Sequence, residues 1–217
     1  MRIQCSLILI LVFFCGYTAA NNINEKQVES HYKSTINSIN STLRARQIEF
    51  KNNPLKLVGY VDETLLPLWA AQKTMKGMLG NKAWSSLTNK EKMALEASFK
   101  DTLQRYVQEG FNSYDGQQVE FVKVKFHPKY ARGLLTIKVI PNLLPSFNVD
   151  LKISQSENGW AIYDALVKGV SYVSLKKEEV RELFKDGGVS AVLSSFASKN
   201  AGYVESNQSA TSSSTVL

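Results

Sequence analysis

The stretch NGWAIYDALVKGVSYVS, residues 158–174, constrains the fold more than any other part of this chain. Asn158-Gly159 supplies a positive-φ turn of the kind that reverses an antiparallel strand. The residues after it are β-branched and aromatic (Trp160, Ile162, Tyr163, Val167, Val170, Tyr172, Val173), interrupted by one acid, Asp164. At strand periodicity Trp160, Ile162, Asp164 and Leu166 share one face, and Ala161, Tyr163, Ala165 and Val167 the other. Both faces are largely apolar. An antiparallel strand normally wets one face, so this one must be covered on both sides, or covered on one and facing an apolar cavity on the other.

The N-terminus sets the expected compartment. Arg2 gives a positive start, Leu7 to Phe14 a short apolar run, and Thr18-Ala19-Ala20 small residues at a cleavage point. The run is too short for a reliable membrane span, and bulky Phe14 argues against lipidation of Cys15. Residues 1–20 are therefore expected to be a cleaved secretory signal peptide. Its removal takes both cysteines, Cys5 and Cys15, and leaves no thiol or disulfide chemistry. The whole chain carries a net charge of +7 with 21% charged residues of mixed sign. That balance suits acidic surfaces such as anionic headgroups better than nucleic acid.

Helical periodicity fills the first half. Val28, Tyr32, Ile36, Ile39, Leu43 and Phe50 predict one amphipathic helix over 25–50, ended by Asn52-Asn53-Pro54. Leu57, Val58, Val61, Leu65 and Leu68 mark a second, with a possible kink at Pro67. A third carries Thr74 to Leu79 and stops near Gly80. The fourth opens on a capping box, Thr88 with Glu91, and runs through Leu95, Phe99, Leu103 and Tyr106 to Asp115-Gly116. Four strands follow, at 119–126, 134–141, 147–154 and 160–173. Two short helices flank Gly187-Gly188, and a Ser-rich tail expected to be disordered occupies 200–217. One α+β domain over 21–199 is predicted, an antiparallel sheet of about four strands wrapped by helices.

Catalytic motifs are missing. His31 and His127 have no HExxH or cysteine partner, no serine sits in GxSxG or SxxK, and no phosphate-binding glycine loop occurs. Asp164 is either a general base in a cavity or a structural hydrogen-bonding residue; with no evident second acid or histidine beside it, the structural role is preferred. Lys123, Lys125, Lys138, Lys152 and Lys168 lie on predicted strands, as a solvated face or a headgroup-docking surface. The apolar loop Asn142 to Pro145 is a cavity rim or a packed turn. Patterning alone leaves open whether the domain is packed solid or packed around a lipid.

Two blocks taken together, Trp84 to Phe121 and Gly159 to Phe196, resemble the MlaC (toluene-tolerance) family of periplasmic phospholipid-binding proteins. The resemblance rests on Leu79-Gly80 followed by Trp84, on Thr88, Phe99, Leu103, Tyr106, Tyr114, Gly116 and Val119, and on Trp160, Tyr163, Asp164, Gly169, Val170 and Ser171. The chain departs from the family pattern at Leu68-Trp69-Ala70-Ala71 and at Leu175-Lys176-Lys177, near helix ends that could frame the pocket or a docking surface.

The resemblance implies a nuclear-transport-factor-2-like sheet, no cofactor, no metal and no catalysis. It implies a monomeric Gram-negative carrier that moves phospholipid between an outer-membrane lipoprotein–porin complex and an inner-membrane ABC transporter with an MCE-family ring, maintaining outer-membrane lipid asymmetry. Expected acyl-chain contacts are Val61, Leu65, Met75, Met78, Leu79, Phe99, Leu103, Tyr106, Val107, Phe147, Val149, Leu151, Trp160, Ile162, Val170 and Val173. A carrier of another apolar ligand such as a hopanoid, an enzyme built around Asp164, and an interaction protein with a solid core are the alternatives.

Overall fold

A computed structural model describes residues 24–156 and 159–213, with side chains described as far as Ala201. The expected signal peptide lies outside the described residues. Helix α1 (Glu25–Ala45) is capped by the Asn24 side chain, which accepts from the Gln27 amide. It ends at Arg46, and α2 (Gln47–Asn52) continues after this break, so the single helix expected over 25–50 is two. Pro54 opens α3 (Pro54–Tyr60) at a position where its missing N–H costs nothing. A π turn (Val61–Leu65) and a 3-10 turn (Leu66–Leu68) follow in place of the rest of the second expected helix, because Pro67 cannot donate to an α-helical ladder.

Three more helices precede the sheet: α4 (Ala71–Leu79), a short α5 (Asn81–Ser86) that periodicity did not reveal, and α6 (Asn89–Asn112). The capping box is present: Thr88 Oγ1 accepts from the Glu91 amide, and the Glu91 carboxylate accepts from the Thr88 amide.

Strands β1 (Gln118–Phe126), β2 (Arg132–Ile140), β3 (Phe147–Ser156), β4 (Gly159–Val167) and β5 (Val170–Ser171) form one antiparallel sheet in sequence order. The long strand expected over 160–173 is thus a hairpin. Lys168 (φ 51°) and Gly169 (φ 79°) both take positive φ, as a two-residue turn between antiparallel strands requires. Lys168 consequently sits at a turn tip and not on a strand.

A second irregularity matters more. Ile153 pairs with Ile162 and Lys152 with Asp164, leaving Tyr163 as an extra residue in β4. That bulge exchanges the faces of the strand beyond it. Ala165 and Val167, paired with Leu151 and Val149, share one face with Trp160 and Ile162; Asp164 and Leu166 share the opposite face with Ala161, and that face is also covered at Asp164 and Ala161.

Helix α7 starts at Tyr172 and continues to Ser213, bent at Gly187 (φ −147°) and Gly188 (φ 64°). Ser171 Oγ accepts from the Ser174 amide and caps it. The backbone stays helical through most of the Ser-rich stretch, since extending an existing helix is far easier than starting one.

The apolar interior is divided into three clusters. The first joins α4, α5, α6 and α7 through Met75, Met78, Trp84, Leu95, Phe99, Val180 and Val192. The second presses Val28 and Tyr32 of α1 onto Leu135, Ile153 and Ile162 of the sheet. The third gathers Phe50, Leu57, Val61 and Phe111 around the end of α6.

Candidate functional site

Where the three clusters meet, the side chains do not close on one another. They leave a cavity of about 570 Å³ lined by Leu65, Leu66, Trp69, Leu103, Tyr106, Val107, Ala165, Val167, Val170, Tyr172 and Leu175. Six of the eleven wall residues form the fringe of a cluster. Leu65, Leu66 and Val107 pack on the third, Leu103 and Tyr172 on the first, and Trp69 on the first and second. The β4 bulge supplies the floor, because without it Ala165 and Val167 would face away. Val167, Val170 and Leu175 are also exposed to solvent, so the cavity opens between the β4–β5 hairpin and the first turn of α7.

The polar atoms of this wall are already engaged. Trp69 Nε1 donates to Thr74 Oγ1 at 2.8 Å. The Tyr106 and Tyr172 hydroxyls lie 3.3 Å apart, and burial followed by this neighbour pushes the Tyr172 phenol well above its usual range, so it stays neutral. Behind the two rings lies a small polar pocket with Arg105, Lys176, Glu179 and Lys199. Glu179 accepts from Lys176 at 3.0 Å and from Lys199, which hold its carboxylate below its ordinary range. The tyrosine pair therefore stands between the apolar cavity and this cluster of charged side chains.

Of the expected contacts, Leu65, Leu103, Tyr106, Val107 and Val170 line the cavity. The other eleven do not. Met75, Met78, Leu79 and Phe99 are buried in the first cluster, where Val173 also packs; Val61 is buried in the third. Leu151, Trp160 and Ile162 belong to the second, Phe147 is exposed, and Val149 is half-buried in β3. For Val61, Met75, Met78 and Phe99 the physical reason is the same. A side chain with no accessible surface touches protein on every side, whereas a wall residue keeps one side open.

Six wall residues escaped the sequence reading: Leu66, Trp69, Ala165, Val167, Tyr172 and Leu175. A signal existed for two of them. Trp69 and Leu175 stand in the two segments where the chain departs from the family pattern.

Asp164 is not in the cavity. It is 2% exposed, and its carboxylate accepts from Lys152 Nζ (2.8 Å), Ser171 Oγ (2.7 Å) and the Val173 amide (3.1 Å). It ties β3, β4, β5 and the start of α7 together. A carboxylate with three donors and no open side is a structural anchor. No group of three His, Cys, Asp or Glu side chains suited to a metal ion occurs among the described residues.

The MlaC family model matches residues 33–198, most of the chain. This chain belongs to the MlaC family. The match spans every wall residue of the cavity and the Asp164 anchor. Among solved structures, the fold is similar to that of the phospholipid-binding protein from Ralstonia solanacearum, determined in complex with a phospholipid. The TM-score is 0.70 at 20% sequence identity, over 81% of this chain and 98% of that one. A five-stranded antiparallel sheet with helices against it is therefore the MlaC fold in this chain too.

Proposed function

We propose that this MlaC protein is a phospholipid carrier that holds acyl chains in the cavity between α6, β4 and the start of α7. The observation that carries the reading is the apolar, solvent-connected cavity of about 570 Å³, whose few polar side-chain atoms are already hydrogen-bonded within the protein. Its size lies within the range of ~300–1,000 Å³ typical of small-ligand sites. Family membership and the phospholipid complex of the Ralstonia relative support the same ligand class.

The energetics suit transfer. Each methylene removed from water contributes about 0.8 kcal/mol, so one chain of about fifteen methylenes gains roughly 12 kcal/mol in the cavity. A bilayer offers a similar gain. Walls without specific headgroup bonds keep the two sites near balance, and direction must come from partners. The partners proposed are the outer-membrane lipoprotein–porin complex and the inner-membrane MCE-ring transporter, reached from the periplasm by a monomer, in maintenance of outer-membrane lipid asymmetry. Binding is favoured over catalysis because the one buried acid in β4 faces away from the cavity and is fully hydrogen-bonded.

Transfer between vesicles tests the reading. Catalytic amounts of the mature protein are expected to move fluorescent phospholipid from donor to acceptor vesicles at a rate proportional to protein concentration. Transfer of a hopanoid but not of phospholipid would assign the cavity to the other apolar ligand, and transfer of neither would refute the carrier function.

A further inference from the structure

The β2–β3 loop and the β4–β5 turn lie at the same end of the sheet: Phe147 opens β3 opposite Val139, and Val167 closes β4 opposite Val149. Adjacent strands are about 4.8 Å apart, so the loop stands about two strand spacings from the cavity mouth. This end carries six of the eleven exposed large hydrophobic side chains among the described residues: Leu143 (93% exposed), Leu144 (71%), Phe147, Val167, Val170 and Leu175. Three of them, Val167, Val170 and Leu175, are also cavity wall. The apolar surface is continuous from the chamber to the outside.

The loop is held in place. Asn142 Nδ2 donates to the Asp115 backbone carbonyl and, at 3.2 Å, to its carboxylate, anchoring the loop to the segment before β1. Pro145 stiffens its other side. Two leucines are thus presented to solvent on a tethered support, which adds nothing to the core. Lys168 projects at the tip of the neighbouring turn, exposed and without an ion pair among the described residues.

We propose that this end of the molecule seats directly on a phospholipid bilayer. Leu143 and Leu144 insert among the acyl chains, Lys168 meets anionic headgroups, and the cavity mouth opens toward the lipid tails, so that a chain enters without crossing water. A bilayer suits the surface better than a second copy of the chain does. An isologous pairing would set two copies of the same positively charged patch against each other, whereas an anionic leaflet complements Lys168. The inference rests on the carrier reading of the cavity.

Flotation of the mature protein with vesicles of phosphatidylcholine, with or without phosphatidylglycerol, tests it. Wild type is expected to float with the vesicles, and Leu143→Asp/Leu144→Asp to lose at least tenfold in the bound fraction. Lys168→Glu is expected to weaken binding only where phosphatidylglycerol is present. Because the loop does not line the cavity, the double variant should keep its melting temperature and, once loaded from detergent micelles, hold lipid as wild type does; Leu143→Ser/Leu144→Ser replaces it if the acidic version fails to fold.

Lipid in both proteins but no flotation of wild type, or equal flotation of the variant, overturns the docking surface and leaves the carrier reading standing. Lipid in neither protein refutes the carrier reading itself, and with it the docking inference. A wild-type dimer in sedimentation without vesicles, converted to monomer by the double variant, assigns the patch to a second copy and overturns the proposal.

Discussion

Leu103→Trp protein is expected to fold and to bind phospholipid more than a hundredfold less tightly than wild type. Leu103 stands on α6, half-buried, with one side against the first cluster and the other open to the cavity. An indole there takes the room of about four methylenes, which removes about 3 kcal/mol of burial and so more than two powers of ten in affinity. Ala165→Trp, entering from the sheet, should act in the same direction, because the Tyr163 bulge turns residue 165 inward. Lipid content per folded protein, with folding checked by thermal unfolding, decides the matter. A well-folded Leu103→Trp protein with unchanged lipid content would mean that the acyl chains lie elsewhere.

Asp164→Ala is expected to lower stability by about 3 kcal/mol, the lower end of what breaking a buried charge pair costs. The lower end applies because Lys152 is 36% exposed and regains water when its partner goes. The remaining loss comes from the Val173 amide and the Ser171 hydroxyl, which anchor the first turn of α7 to the sheet. For a chain of this size that corresponds to a fall in melting temperature of roughly 6–12 °C. Asp164→Asn, which keeps the shape and can still accept, should lose less. In either variant the folded protein should still carry lipid. Unchanged melting together with lost transfer activity would instead place Asp164 in the ligand's path and reopen a catalytic role.

The same residues show what a sequence makes legible. The α+β class, the capped α6 and three of the strands follow from periods and caps that depend on neighbours in the chain. Asp164 as an anchor was also readable, since nothing in the sequence supplied a second catalytic group. The face of β4 was not. Alternation assigned Ala165 and Val167 to the face opposite Ile162, and one extra residue at Tyr163 reversed that assignment. A bulge is set by packing across the sheet, here with α4 donating from Thr74 Oγ1 to the Tyr163 carbonyl at 2.8 Å, and it leaves no periodic trace.

The wall was only partly legible for a related reason. Hydrophobicity ranks the most buried side chains first, and Met75, Met78 and Phe99, with no exposed surface, are core for that very reason. Residues that must be apolar yet open, such as Leu66 and Tyr172, look unremarkable in a sequence. Trp69 and Leu175 stood out only as departures from a family pattern.

Native mass spectrometry of the protein after expression into a Gram-negative host's periplasm addresses the cavity most directly, before and after solvent extraction. The expected spectrum shows a near-stoichiometric adduct with the mass of a diacyl phospholipid, removed by extraction and regained from vesicles, and strongly depleted in Leu103→Trp. Protein that emerges without an apolar adduct, and acquires none when offered phospholipid vesicles, would contradict the assignment of this cavity to lipid.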